Sequence, residues 1–313
     1  MNREYWSSAE GSRKADEILE AIKEGGDINH MAPGRFNGRL DLRGLHFRGM
    51  EDYAPDVTIA AAQGVSFTDI DFTGSTIPGL QLSGANVVNC NFDNAKMDGL
   101  ECRGVIFKNC SFVKSSLRGA QLSLPLDEKY TTYDSVDFSR AILIGSNCTD
   151  AEFNRTTFTN AKLNSVNFRG SNFTDCKFAG LLRNVIFWSS SITGRSVPEN
   201  IMRNVDFSQS ILRDVEFRDI DLEEVVLPSG EPHIVVQQYN CTLARVLERL
   251  PMKGEPFTYG LRAYLAAELR FSHPERRVGI WHRKSLGKTS DEQEFAIHIL
   301  KQAESECEAQ EAR

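Results

Sequence analysis

The chain has 313 residues, enough for a sizeable core and for two domains, and a mild formal net charge of −7. That charge argues against nucleic-acid binding through bulk electrostatics. No stretch approaches the ~18 apolar residues of a membrane span, and the N-terminus has no apolar run, so neither a membrane segment nor a signal peptide is expected.

The first predicted element is a helix over 8–24, "SAEGSRKADEILEAIKE", with Ala15, Ile18, Leu19 and Ile22 on one face. Gly25 and Gly26 stop it. A five-residue beat follows. Its large apolar centres begin at Leu42 and Phe47 and run from Phe67 through Phe72, Ile77, Leu82 and onward to Leu122. The residue two before each centre is small or β-branched, and the intervening positions are polar. The last position of the unit is often Gly, Asn or Asp, as at Gly74, Asn94 and Gly119, which suits a corner. A period of five is neither helical nor an ordinary strand, and its persistence signals a solenoid.

The beat breaks at 123–135, "SLPLDEKYTTYDS", and resumes one residue out of phase at Phe138. A one-residue deletion near Leu181 and Leu182 restores the first phase at Phe187, which then runs through Ile192, Val197 and Met202 to Leu227. The stretch from Met50 to Gly64 keeps the spacing and loses the residue types, so it is either degenerate repeat or loop. About 32 clear repeats remain.

This pattern resembles the pentapeptide-repeat family, usually written A(D/N)LXX, over about 42–229. The resemblance implies a mainly β fold: a right-handed quadrilateral β-helix with four pentapeptides per coil, here about eight coils. At ~4.8 Å per stacked strand the rod is about 38 Å long, with Phe ladders inside. The expected organisation is an N-terminal helical cap over 1–38, the β-helix over 39–229 with loop 123–135, and a C-terminal helical domain over 230–313. Solenoid ends need caps, because terminal coils expose apolar core and strand edges. The C-terminal segment is longer than a cap requires. It reads as helices over 242–250, 259–271 and 290–310, the last with Ser290 as N-cap and Gln293 completing a capping box.

The seven Cys do not read as a disulfide framework. Cys90, Cys102, Cys110, Cys148 and Cys176 fall on inward beat positions, as small core hydrophobes in a reducing cytoplasm. The six His are scattered, and no metal constellation or nucleophile–base pair stands out, so neither cofactor nor catalysis is expected. "SLGKTS" at 285–290 resembles the end of a phosphate-binding loop, but His282 stands where the full pattern needs Gly.

Three surfaces remain as interaction candidates. The last coils carry Asp206, Asp214, Glu216, Asp219, Asp221, Glu223 and Glu224 outward, interleaved with Arg203, Arg213 and Arg218. Some members of the resembled family imitate duplex DNA and bind type II topoisomerases such as gyrase, which would link an acidic wall to antibiotic resistance; the alternative is an ordinary solvated wall. Ile186 and Trp188, with Ile142 and Ile144, are apolar at outward positions, which fits a partner contact or docking within the chain. The loop with Leu124, Leu126, Tyr130 and Tyr133 is the expected protrusion. Separately, "HPERRVGIWHRKSLGK" at 273–288 offers Arg276, Arg277, Arg283 and Lys284 around Trp281, either a contact with nucleic acid or an acidic protein, or a solvated inter-helix loop with Trp281 packed on the helices. The expected function is non-catalytic protein–protein interaction as a cytoplasmic scaffold or regulator, with the C-terminal helices pairing two copies or supplying a second contact.

Overall fold

The computed structural model describes residues 3–28, 30–47, 60–127, 129–191 and 202–311. Ile192 and Val197 of the expected beat, and most of the degenerate stretch from Met50, lie outside the described residues. Two N-terminal helices, α1 (Arg3–Ser7) and α2 (Ala9–Lys23), open the chain. Ser8 caps α2 by accepting the Gly11 N–H at 3.1 Å. Its Ala15, Ile18, Leu19 and Ile22 are buried, as their spacing predicts. Trp6 joins them and donates its indole N–H to the Arg43 carbonyl at 2.9 Å. These residues share one core with Leu40, Leu42, Leu45 and Phe47, so the helices close the N-terminal end of the solenoid.

Short strands then stack in parallel at a 20-residue offset. Ser66–Thr68 pairs with Asn86–Val88, which pairs with Ile106–Lys108. One ladder links Asp41, Asp71, Asn91, Ser111, Asp137, Thr157, Lys177, Asp206 and Val226. Positive φ recurs every fifth residue, at Gly64, Asp69, Gly74 and Gly79 and again at Gly84, Asn89, Asn94 and Gly99. The turn residues therefore stand where the beat places Gly, Asn and Asp, because the left-handed region is accessible to them at low cost.

Aromatic rings stack along the interior. Phe72, Phe92, Phe112, Phe138, Phe158, Phe178 and Phe207 form one column with centroids 4.7–5.3 Å apart. Each stacked pair contributes ~0.5–1.5 kcal/mol beyond its burial. The five inward cysteines are buried and free; burial pushes their thiols up, Cys110 to about 11 and Cys176 to about 12.

The register also measures the interruptions. Ile106 pairs with Thr132 and Gln121 with Asn147, offsets of 26, so the break is a six-residue insertion. Asn167 pairs with Ile186, an offset of 19, which is the expected one-residue deletion. Phe187 pairs with Phe217 and Asp41 with Asp71, offsets of 30, so each of those turns of the chain holds ten extra residues.

The break differs from the expected protrusion. Tyr133 is a core residue, not a loop residue: it is fully buried, stacks between Phe107 at 5.1 Å and Phe153 at 4.9 Å, and donates its hydroxyl to the Leu122 carbonyl at 2.7 Å. That hydrogen bond lets a phenol occupy a Phe position. The loop shrinks to 125–131 and folds back on the wall. A Cβ at Gly104 would come 3.1 Å from the Leu126 Cβ, so Leu126 lies against that corner, and Tyr130 is half-buried.

After the solenoid come strand His233–Val236, helices α3 (Tyr239–Arg249) and α4 (Pro256–Arg270), strand Gly279–His282, and helix α5 (Ser290–Glu311). The two strands pair antiparallel. The cap of α5 is one residue earlier than expected: Thr289 Oγ1 accepts the Glu292 N–H at 3.2 Å and the Glu292 carboxylate accepts the Thr289 N–H at 3.0 Å. The cysteine reading needs a correction here. Cys241 on α3 and Cys307 on α5 form a disulfide, with Cα atoms 6.2 Å apart.

Candidate functional site: the seam between solenoid and C-terminal helices

The strand pair is two-faced because side chains alternate along it. Val235 and Ile280 lie against the solenoid core. Ile234 and Trp281 face the other way, into a second core of Val236, Tyr239, Leu243, Leu265, Leu300 and Ala303. Gly279 is needed there, since a Cβ would fall 1.9 Å from the Tyr239 ring. The pair therefore caps the last coil and joins it to the helices.

Polar contacts fasten the seam. Arg276 is 3 % exposed and donates Nη1 to the Phe217 carbonyl at 2.7 Å and Nε to the Val278 carbonyl at 2.9 Å. Its guanidinium lies 4.1 Å over the Tyr239 ring. The Leu212 N–H donates to His233 Nε2 at 3.0 Å. The Asp219 N–H donates to the Phe271 carbonyl at 2.6 Å. Burial lowers the pKa of both His233 and His282, whose rings sit 5.9 Å apart. Burial raises Glu268, which accepts the Tyr239 hydroxyl at 2.8 Å.

The expected interaction residues divide sharply. Trp188 meets Phe271 edge-on at 5.8 Å and carries Arg169 at 4.1 Å over its ring, so it docks within the chain. Ile186 lines a cleft of about 200 Å³ with Asp214, Glu216, Tyr264 and Ser285. Asp214 accepts the Ser285 hydroxyl at 2.8 Å, Asp219 accepts the Ser189 hydroxyl at 2.8 Å, and Glu216 pairs with Arg218. Asp206 stands 3.6 Å from Lys177, and a hydrogen bond from Ser208 lowers its pKa. Glu224 reaches Arg203 at 4.0 Å. Asp221 is half-buried, and Glu223 and Glu224 are exposed. Five of the seven acidic residues, all but Asp221 and Glu223, are thus held by a neighbouring cation or hydroxyl.

The basic segment is corrected more strongly. Four of its residues form a strand, Gly279–His282, so it is not a solvated loop. Arg276 is buried and cannot reach a phosphate backbone. Arg277 pairs with Glu311, and Arg283 pairs with Glu231 and Glu294. Lys284 and Lys288 remain exposed, with no ion pair among the described residues. The phosphate-loop likeness fails on geometry, because the Glu292 carboxylate already takes the Lys288 and Thr289 N–H groups a phosphate would need.

A pentapeptide-repeat family model matches in eight copies, over 85–123, 134–170 and 151–181. The rod carries pentapeptide repeats over 85–123 and 134–181. Solved pentapeptide-repeat structures resemble it. One is QnrB1, a plasmid-mediated fluoroquinolone resistance protein, at 18% identity, over 53% of this chain and 78% of that one, with a TM-score of 0.28. Another is HetL from Nostoc sp. strain PCC 7120, involved in heterocyst differentiation regulation, at 13% identity, over 53% and 82%, with a TM-score of 0.24. A pentapeptide repeat protein of the Arabidopsis thaliana thylakoid lumen aligns at 21% identity, over 53% and 78%, with a TM-score of 0.15. No curated protein sequence matches the chain. The matched repeats lie within the solenoid, between residues 85 and 181.

Proposed function

We propose that the protein is a non-catalytic protein–protein interaction module, with a pentapeptide-repeat rod and a C-terminal helical domain that caps it and contacts partners. We take the rod as a quadrilateral β-helix of about eight coils, from the 20-residue register and the positive φ at every fifth residue. We keep the divisions 1–38, 39–229 and 230–313 as the proposed organisation; a separate core within 236–303 supports the last of them. The observation that carries the reading is the seam. The strand pair covers the last coil, and the three helices behind it keep a concave surface between α4 and the 284–288 loop. No helix among the described residues is long and apolar enough to cross a membrane. The cytoplasm remains the proposed compartment, supported by five free thiols and opposed by the Cys241–Cys307 disulfide.

Cross-linking in cells followed by affinity capture of the full chain tests this. A stoichiometric protein partner, or a second copy held through the C-terminal helices, is expected; recovery of the chain alone at every cross-linker length rejects it. Deleting 230–313 is not a usable test, because it would strip the cap from the last coil.

A second reading, binding to a type II topoisomerase by DNA mimicry, rests on the exposed carboxylates Glu223 and Glu224 at outward positions of the last coils. It predicts inhibition of gyrase supercoiling near stoichiometry, weakened by reversing Glu223 and Glu224 to Lys. Unaltered supercoiling at large excess rejects it. Direct nucleic-acid contact is disfavoured, since Arg276, Arg277 and Arg283 are already engaged.

A further inference from the structure

We propose that the groove beside α4 binds an acidic segment of a protein partner, anchored by one large apolar side chain. This rests on the interaction-module reading and assigns its surface.

The groove holds about 400 Å³ between the first half of α4 and the loop from Lys284 to Lys288. Its floor is apolar, with Phe257, Leu261 and Leu286. Gly260 lies on the same wall, inside the helix. A mid-helix glycine weakens a helix relative to alanine, so it normally answers a packing or turn demand. Neither exists here: a Cβ at Gly260 would meet nothing within 4 Å, and its backbone has no positive φ. What the missing side chain does provide is depth in the groove.

The rim gives the sign of the occupant. Of the basic side chains in 273–288, the arginines are held by carbonyls and carboxylates. Lys284 and Lys288 are left, and both stand on this groove. The carboxylate in the groove lining, Glu292, is committed to the backbone N–H groups of Lys288 and Thr289. An apolar floor under two ammonium groups with no ion pair among the described residues is complementary to a carboxylate-flanked apolar anchor. A free phosphate is the poorer fit, because the loop N–H groups are taken. Towards the solenoid the groove runs into the smaller cleft through Tyr264 and Ser285. Asp214 and Glu216 line that cleft, so the acidic residues of the occupant belong at the lysine end.

The test is selection of random dodecapeptides on the full-length protein, followed by fluorescence anisotropy. Enriched peptides should carry an aromatic or Leu anchor flanked by Asp or Glu. Gly260→Met, which fills the groove and improves the helix, should weaken their binding at least about tenfold while leaving thermal unfolding unchanged or raised. Lys284→Glu with Lys288→Glu should turn the selection towards basic peptides. Absence of enrichment, basic peptides on the native protein, or binding indifferent to Gly260→Met overturns the proposal. A cellular partner still captured by Gly260→Met would preserve the interaction reading and refute only the groove.

Discussion

Replacing Arg276 with Met should loosen the C-terminal half of the molecule more than any exposed charge substitution. The side chain makes two charged hydrogen bonds to carbonyls, at 2.7 and 2.9 Å, and a cation–π contact at 4.1 Å. Hydrogen bonds to a charged group contribute ~1.5–3 kcal/mol each, and a desolvated cation–π contact about 2 kcal/mol. Some of that returns, because Met needs no desolvated charge, so the net loss is about 3–5 kcal/mol, the range for removing one partner of a buried charged network. Arg277 supplies the control. Its pair with Glu311 is half in solvent, and Arg277→Met should cost under about 1 kcal/mol. Urea unfolding followed by tryptophan fluorescence suits the comparison, since Trp188 and Trp281 both stand at the seam. Hydrogen exchange should place the new opening at Phe217, Leu212 and the Gly279–His282 strand, with the Phe72–Phe112 interior unaffected. If Arg276→Met and Arg277→Met shift the midpoint equally, the clasp argument is wrong.

Two further outcomes follow from the same seam. His233 and His282 have pKa values below their unfolded values, so they fold neutral, and His233 must stay an acceptor for the Leu212 N–H. Their contribution is complete above the unfolded value of 6.5 and is lost as pH falls through the folded values; burial pushes both down, with His282 adding to it for His233, and Arg213 and Lys284 adding to it for His282 against Asp214 and Glu231. Stability of the C-terminal half should therefore drop below pH 6.5 in urea melts, and His233→Gln should flatten that drop; an unchanged slope contradicts the assignment. Separately, the Cys241–Cys307 cross-link spans 66 residues, a closure worth about 4 kcal/mol in the chain-entropy account. Alkylation of the denatured, unreduced protein should label five thiols and leave these two blocked, and Cys307→Ala should lower the urea midpoint; seven labelled thiols contradict the pairing.

The solenoid was legible because five-residue spacing forces inward and outward positions without reference to anything distant in the chain. Its defects were legible only modulo five. A six-residue insertion shifts the phase by one and shows in the sequence at 123–135. A ten-residue excess is two whole units and leaves the phase intact, so the beat gives no sign that Phe187 pairs thirty residues on, with Phe217. Tyr133 sits five residues before Phe138, on the beat, but a phenol among loop-like residues hides its place until the Leu122 carbonyl is seen to accept its hydroxyl.

The seam was not legible for a different reason. The Gly279–His282 strand has four residues set between basic clusters, too short for a period to emerge. Charge counting cannot tell a buried arginine from a solvated one, so Arg276 and Lys284 look alike until Phe217 and Val278 are placed. The disulfide depends on α3 lying against α5, a packing outcome of residues 66 apart.

Capping and recognition are separable in this architecture, and that governs how function can be tested. Val235 and Ile280 on one face of the strand pair close the apolar end of the rod. The helices are held to the other face through Trp281, Tyr239 and Leu265. A truncation removes both faces at once and exposes the last coil, so loss of a partner after truncation would report unfolding as readily as recognition. Gly260 and Lys288 line the groove, and neither belongs to either core. Substitutions there leave the cap intact. A partner lost with Gly260→Met and retained with Arg277→Met would assign recognition to the helices, whereas a partner lost only on reversing Glu223 and Glu224 would return it to the rod.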